Sequence, residues 1–229
     1  MSDFEKYASK LDLKFNNLDL LIEALTHRSY LNENRGVASA HNERLEFLGD
    51  AVLELATTHF LFLKFPKQDE GELTAYRAAL VNTISIAKAA EKLGVNDMLL
   101  LSKGESKDVG RARQIILANA FEALLGAIYL DQGYEAAETF LAKHLYPKID
   151  DVIETGAWQD AKSHFQEVAQ EKKSITPNYK TLQEVGPDHD KRFTVGVYLE
   201  DKEIAQGIGQ SKQEAEQVAA QNALTKTSW

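Results

Sequence analysis

Apolar residues recur at the three- and four-residue spacing of a helix in one stretch after another up to about residue 155. LDLLIEALTH (18–27), RLEFLGDAVLELATTHFLFLKF (44–65), ELTAYRAALVNTISIAKAAEKLG (72–94) and IILANAFEALLGAIYL (115–130) each predict helix. Gly94 and Gly133 stand where helices can end. No alternating strand pattern competes in this region. The stretch SKGESKDVGRAR (102–113) is polar, glycine-containing and aperiodic, which predicts a mobile loop.

The pattern changes near ETGAW, residues 154–158. DAKSHFQEVAQEK (160–172) predicts a helix with Phe165, Val168 and Ala169 on one face. NYKTLQEV (178–185) and RFTVGVYLE (192–200) predict strands, the second with Phe193, Val195, Val197 and Leu199 on one side. GPDHDK between them suits a hairpin loop, and EIAQGIG (203–209) predicts a third strand. S-K-Q-E at 211–214 has the capping-box form that starts a final helix. The expected fold is therefore an all-α N-terminal domain over 1–154, a linker over 155–159, and a small α+β domain of α-β-β-β-α order over 160–229.

Composition narrows this picture without changing it. The 229 residues are 44% hydrophobic and 27% charged, as in a globular protein with a substantial core. A net charge of −9 argues against a simple cationic nucleic-acid binder, so contact with a polyanion would need local basic patches or metal ions. There is no cysteine, which excludes disulfides and thiolate zinc sites and fits a reducing, cytoplasmic setting. The N-terminal stretch lacks the apolar core of a signal peptide. The run 115–130 is short for a membrane span and carries Asn119 and Glu122, so no membrane association is expected.

The helix containing NERLEFLGDAVLEL (42–55) carries the most chemistry. Its 45–55 stretch is apolar around nearly its whole circumference, which predicts burial. Yet Glu43, Glu46, Asp50 and Glu54 gather along one stripe of it. Such like charges repel, and burying them unpaired costs several kcal/mol by rough estimate. Asn119 and Glu122 raise the same question on the 115–130 helix. Spacing leaves two compensators open: basic partners such as Arg44 or Arg77, or a hard divalent cation that favours oxygen ligands.

The strings themselves resemble the ribonuclease III family. HNERLEFLGDAVLEL (41–55) is similar to its signature, and ALTHRSY (24–30), EGELTAYRAALVN (70–82), KGE (103–105) and ILANAFEALLGAIYLD (116–131) follow in the family's order. The region after the linker resembles a double-stranded-RNA-binding domain, ending in SKQEAEQVAAQNAL (211–224). The resemblance implies a homodimeric, Mg²⁺-dependent endonuclease of double-stranded RNA, with Mn²⁺ able to substitute. Its products would carry 5′-phosphate and 3′-hydroxyl ends and short 3′ overhangs, and its usual targets would be ribosomal RNA precursors and other structured RNAs. It implies Glu46, Asp50, Asn119 and Glu122 as metal ligands, Asp50 and Glu122 being catalytic. Glu43 and Glu72 would lie near the cut strand, and Phe47 would enter the partner subunit. Ser163, Gln166, Glu167, Gln170, His189, Ser211 and Lys212 would contact RNA.

Two departures matter. Asn119 stands where the family has aspartate, so the site keeps an oxygen donor but loses a charge. That motivates an alternative: a catalytically weakened homologue acting mainly as a double-stranded-RNA-binding protein. The final helix begins Lys212-Gln213 rather than with a basic pair, and from residue 156 on 9 Lys and Arg face 11 Asp and Glu. RNA binding is therefore expected to be weaker and strongly salt-dependent.

Overall fold

A computed structural model describes residues 2–34, 40–154, 156, 158, 160–187 and 191–229. The chain divides into two compact units, Met1–Trp158 and Gln159–Trp229.

The first unit is helical. Its elements are α1 (Asp3–Lys10), α2 (Leu18–Ala24), α3 (Arg28–Glu33), α4 (Glu43–Lys64), α5 (Glu70–Val81), α6 (Thr83–Leu93), α7 (Val95–Met98), α8 (Gly110–Gln132), α9 (Tyr134–His144) and α10 (Ile149–Glu154). Side-chain caps mark several starts by taking up backbone N–H groups that the first turn leaves free. Asp69 accepts from the Glu72 N–H at 2.9 Å to open α5, and Asn82 accepts from the Ser85 N–H at 2.9 Å to open α6. Gly94 ends α6 at φ 74°, a left-handed conformation that glycine adopts without steric cost.

α8 is the central element. Eleven of its residues, from Ile116 to Ile128, are buried, and α2, α4, α6, α7 and α9 pack around it. With 23 residues it is longer than the apolar run 115–130 predicted, because the polar turn GRARQ joins its start. By length and composition it could cross a membrane, but here it is the core helix of a helical domain. The stretch 102–113 is correspondingly not a free loop. It holds a 3-10 turn at Glu105–Lys107 and the first turn of α8, and Arg113 pins it by donating to the Asp108 and Ser106 carbonyls at 3.2 and 2.8 Å.

The second unit has the expected order: α11 (Ala161–Lys173), β1 (Asn178–Val185), β2 (Arg192–Leu199), β3 (Lys202–Gly209) and α12 (Lys212–Thr227). The strands form one antiparallel sheet in sequence order, with Tyr179 opposite Val197 and Val197 opposite Ala205. Ala161 and Phe165 of α11, Val197 and Ala205 of the sheet, and the alanine-rich face of α12 make its core. Small residues set the spacing. A Cβ at Gly207 would overlap the α12 backbone at Ala215 and Ala219, so the helix lies directly on β3.

Trp158, expected in the linker, packs edge-to-face on Tyr76 with ring centroids 4.8 Å apart. Its large apolar surface packs against the core of the first unit.

Candidate metal centre and RNA interface

Two glycines bring the acids together. α4 and α8 cross so closely that a Cβ at Gly49 would overlap the Glu122 carbonyl and come within 2.9 Å of the Gly126 N. A Cβ at Gly126 would overlap the Leu45 carbonyl and lie 3.2 Å from the Gly49 N. Gly49 immediately precedes Asp50 and follows Glu46 by less than one turn, and Gly126 lies one turn beyond Glu122. The backbone contact therefore sets Glu46 and Asp50 against Asn119 and Glu122. Neither glycine was singled out by the acid pattern. Their signal was present, since a glycine inside a helix costs about 1 kcal/mol relative to alanine and calls for a packing reason.

Within the cluster the Asn119 amide lies close enough to the Glu46 carboxylate to favour its charged form. Burial, chiefly, and the neighbouring Glu43 and Asp50 charges hold the Glu46 pKa above its ordinary value, against the opposing effect of the Asn119 amide. Glu122 is shifted further. Burial first, then the Asp50 and Glu46 charges, push its pKa up to about 7. Glu46, Asn119 and Glu122 are half-buried, and Asp50 stands exposed at the rim.

The stripe of four acids on α4 is not uniform. Its outer members have cations: Glu43 pairs with Arg28 at 3.3 Å and Glu54 with Arg77 at 3.1 Å. Among the described residues no Lys, Arg or His pairs with Glu46, Asp50 or Glu122. Basic partners therefore compensate the outer acids and not the inner ones. The inner cluster is an oxygen-only donor set with surplus negative charge, which fits a hard divalent cation. Among the described residues no ready-made group of three His, Cys, Asp or Glu ligands is present. The looser arrangement suits an ion that keeps several of its waters, as Mg²⁺ does.

Glu72 is not brought to this cluster. α4 and α5 pair through the short connection 65–69, so Glu72 lies alongside the far end of α4, and its charge acts on Tyr76. Burial of α4 is also partial. Phe47 is 81% exposed and Leu55 60%, so the prediction of a wholly buried apolar helix fails on the face that no other element covers. Phe47 borders a groove of about 600 Å³ lined also by Leu20, Leu48 and Leu130.

His27, Ser29 and His59 have local partners. His27 Nδ1 lies 2.8 Å from Ser29 Oγ, and Ser29 Oγ accepts from the Ser102 N–H at 3.1 Å, tying α3 to the KGE segment. His59 Nδ1 is 2.9 Å from a Glu138 carboxylate oxygen.

In the second unit, Ser163, Gln166, Glu167 and Gln170 are all exposed along one face of α11. Ser211 caps α12 by accepting from the Glu214 N–H at 3.1 Å, while the Glu214 carboxylate accepts from the Gln210 N–H at 2.7 Å. The capping box thus reaches back one residue further than its usual form. Lys212 is exposed at this helix start, but its ammonium pairs with Glu184 of β1 at 2.8 Å. His189 lies outside the described residues.

Comparison with known proteins agrees with this arrangement in both units. A family model described as Ribonuclease-III-like matches residues 17–149, and one for the double-stranded RNA binding motif matches residues 161–226. The chain is 48% identical over 224 residues to Ribonuclease 3 of Geobacillus kaustophilus, covering 96% of this chain and 89% of that protein. It is 49% identical over 216 residues to Ribonuclease 3 of Desulforamulus reducens, covering 94% and 88%. The solved nuclease domain of ribonuclease III from Campylobacter jejuni, described as having a region involved in dimer formation, has a TM-score of 0.57 at 43% identity. That match covers 63% of this chain and 99% of the solved one. With its helical unit matched as a nuclease and its α+β unit as an RNA-binding motif, the chain belongs to the ribonuclease III family.

Proposed function

We propose that this chain, a double-stranded-RNA endoribonuclease of the ribonuclease III family, hydrolyses its substrate with Mg²⁺ held by Glu46, Asp50, Asn119 and Glu122. The observation that carries the reading is the close α4–α8 crossing, which gathers three carboxylates and an amide without a protein cation. When bound, the ion neutralises the phosphate and lowers the pKa of a coordinated water. The protein's part is to hold and orient. Asn119 sits beside Glu46 as a neutral amide, whose oxygen is its donor atom toward a cation. Glu122, with a pKa of about 7, can hold or release a proton on its carboxyl near neutrality. Glu43, beside Glu46, is assigned to positioning RNA near the cut, and Glu72, at the far end of α4, is not.

Products with 5′-phosphate, 3′-hydroxyl and short 3′ overhangs follow from two such sites acting on opposite strands of a homodimer. Phe47 supports the dimer, because a phenylalanine left 81% exposed beside an apolar groove is suited to enter the same groove on a second copy. The second unit supplies shape recognition of A-form RNA through Ser163, Gln166, Glu167 and Gln170, with Ser211 and Lys212 toward phosphate and His189 assigned to the adjoining loop. Work in the cytoplasm on ribosomal RNA precursors and other structured RNAs is in keeping with a chain without cysteine.

The test is Glu122→Gln. It keeps shape and hydrogen bonding but removes a charge, so cleavage of duplex RNA should be abolished while RNA binding, measured by gel shift, is retained. Full cleavage by this variant would sink the assignment. Asn119 favours one rival reading, a family member that grips duplex RNA and cuts it poorly. Digestion of a duplex with and without Mg²⁺ separates the two.

A further inference from the structure

The first unit collects cations in one place as the α4–α8 crossing collects anions. Lys10 closes α1, Lys92 lies in the last turn of α6, and Lys143 and His144 close α9. These side chains, with Lys148, line one groove of about 390 Å³ that shares no residue with the carboxylate cluster. Basic residues in a last turn answer the helix dipole, but that does not account for the number present. Three helix C-termini contribute together roughly −1.5 charges, and Asp12, paired with Lys143, adds one. Four lysines oppose them, and the charge of a fifth, Lys88, also acts on Lys148.

The inner end of the groove is built rather than merely decorated. Lys148 is half-buried, and its ammonium donates to the Ser85 carbonyl at 2.7 Å, so the charge is held in place. Burial, with the Lys92 and Lys88 charges, lowers its pKa from the ordinary lysine value. The Nε2 atom of His144 is buried and has no hydrogen-bond partner. Such a crowd of like charges is relieved by a polyanion, and compact ammonium groups on flexible stems suit phosphate oxygens.

We propose that this groove binds closely spaced phosphate groups, and that in use they belong to the duplex-RNA substrate beyond the segment being cut. The choice of RNA rests on the endonuclease reading above. Duplex RNA needs phosphate neutralisation for affinity, yet the chain from residue 156 on has a net charge of −2 and its Lys212 is engaged by Glu184. The groove supplies the cations that the RNA-binding unit lacks.

The test uses the full chain and the double variant Lys10→Gln/Lys92→Gln, both side chains being exposed. An unchanged Tm verifies its fold. KM and kcat are measured on two duplexes, one just long enough to be cut and one several helical turns longer. Thermal shift with sodium tripolyphosphate reads the groove without RNA. The expected result is a KM about tenfold higher for the longer duplex only, an unchanged kcat, and a salt slope of binding smaller by about 2. Tripolyphosphate should raise the Tm of the parent chain more than that of the variant. If tripolyphosphate discriminates between the two proteins but neither KM moves, the RNA assignment is overturned in favour of a free polyphosphate. If neither measurement distinguishes them, the groove is not a phosphate site. A parent chain that cuts no duplex at all would fault the endonuclease reading instead, and the tripolyphosphate arm would still report on the groove.

Discussion

Asn119 does for Glu46 what an aspartate could not: it sets a neutral amide donor beside the carboxylate and eases its charge. Replacing it with aspartate removes that donor and adds a fourth negative charge beside Glu46, Asp50 and Glu122. Asn119→Asp should therefore lower the Mg²⁺ concentration for half-maximal cleavage on the order of tenfold, an added charge in a partly screened site being worth that much. Initial rates across a Mg²⁺ titration will read the shift, and an unchanged midpoint would place the limit elsewhere. Glu122 makes a second prediction, for the metal-free chain. Its folded-state pKa of about 7 exceeds the ordinary glutamate value of 4.5, so the stability tied to its protonated form is intact below about pH 4.5. That contribution is lost as pH rises through about 7. Measured in chelator, Tm should fall across this window, and Glu122→Gln should flatten the fall.

At the scale of elements, the crossing of α4 and α8 is what makes a site out of separate acids. Methyl groups cannot be accommodated there by rotating a side chain, because the opposing atoms are backbone. Gly49→Ala should destabilise the nuclease unit by about 3 kcal/mol, lowering Tm by roughly 6–12 °C despite the better helix propensity of alanine. Cleavage measured well below that Tm should fall further than stability does, since the helices must separate and carry the clustered acids apart. A Tm equal to that of the parent would show that the crossing is looser than described. Helical spacing was enough to locate both helices and their acids. It could not say which acids were compensated by protein, because Arg28 and Arg77 reach Glu43 and Glu54 from other elements. Nor could it find the open face of α4, since Phe47 and Leu53 read alike in the sequence while one is 81% and the other 1% exposed. The polar stretch 102–113 misled for a related reason: its order comes from Arg113 hydrogen bonds that no periodicity records. The strands of the second unit were legible almost to the residue, because alternation and turn chemistry act locally.

For the whole molecule, a net charge of −9 has to be reconciled with a polyanionic substrate. Sign is segregated rather than averaged: acids converge at the α4–α8 crossing, and lysines at the ends of α1, α6 and α9. Assembly belongs to this scale too. Phe47→Asp places a charge on the apolar surface assigned to the second copy, so sedimentation should show monomer where the parent chain shows dimer. A parent that sediments as monomer at all concentrations would remove the dimer from the proposal. The deepest consequence concerns α8, whose buried run Ile116–Ile128 carries Asn119 and Glu122. Amide hydrogens in such a segment exchange with solvent only when the domain as a whole opens. The proposed site is thus anchored in the last part of the nuclease unit to come apart, so local fraying elsewhere leaves these two side chains in place.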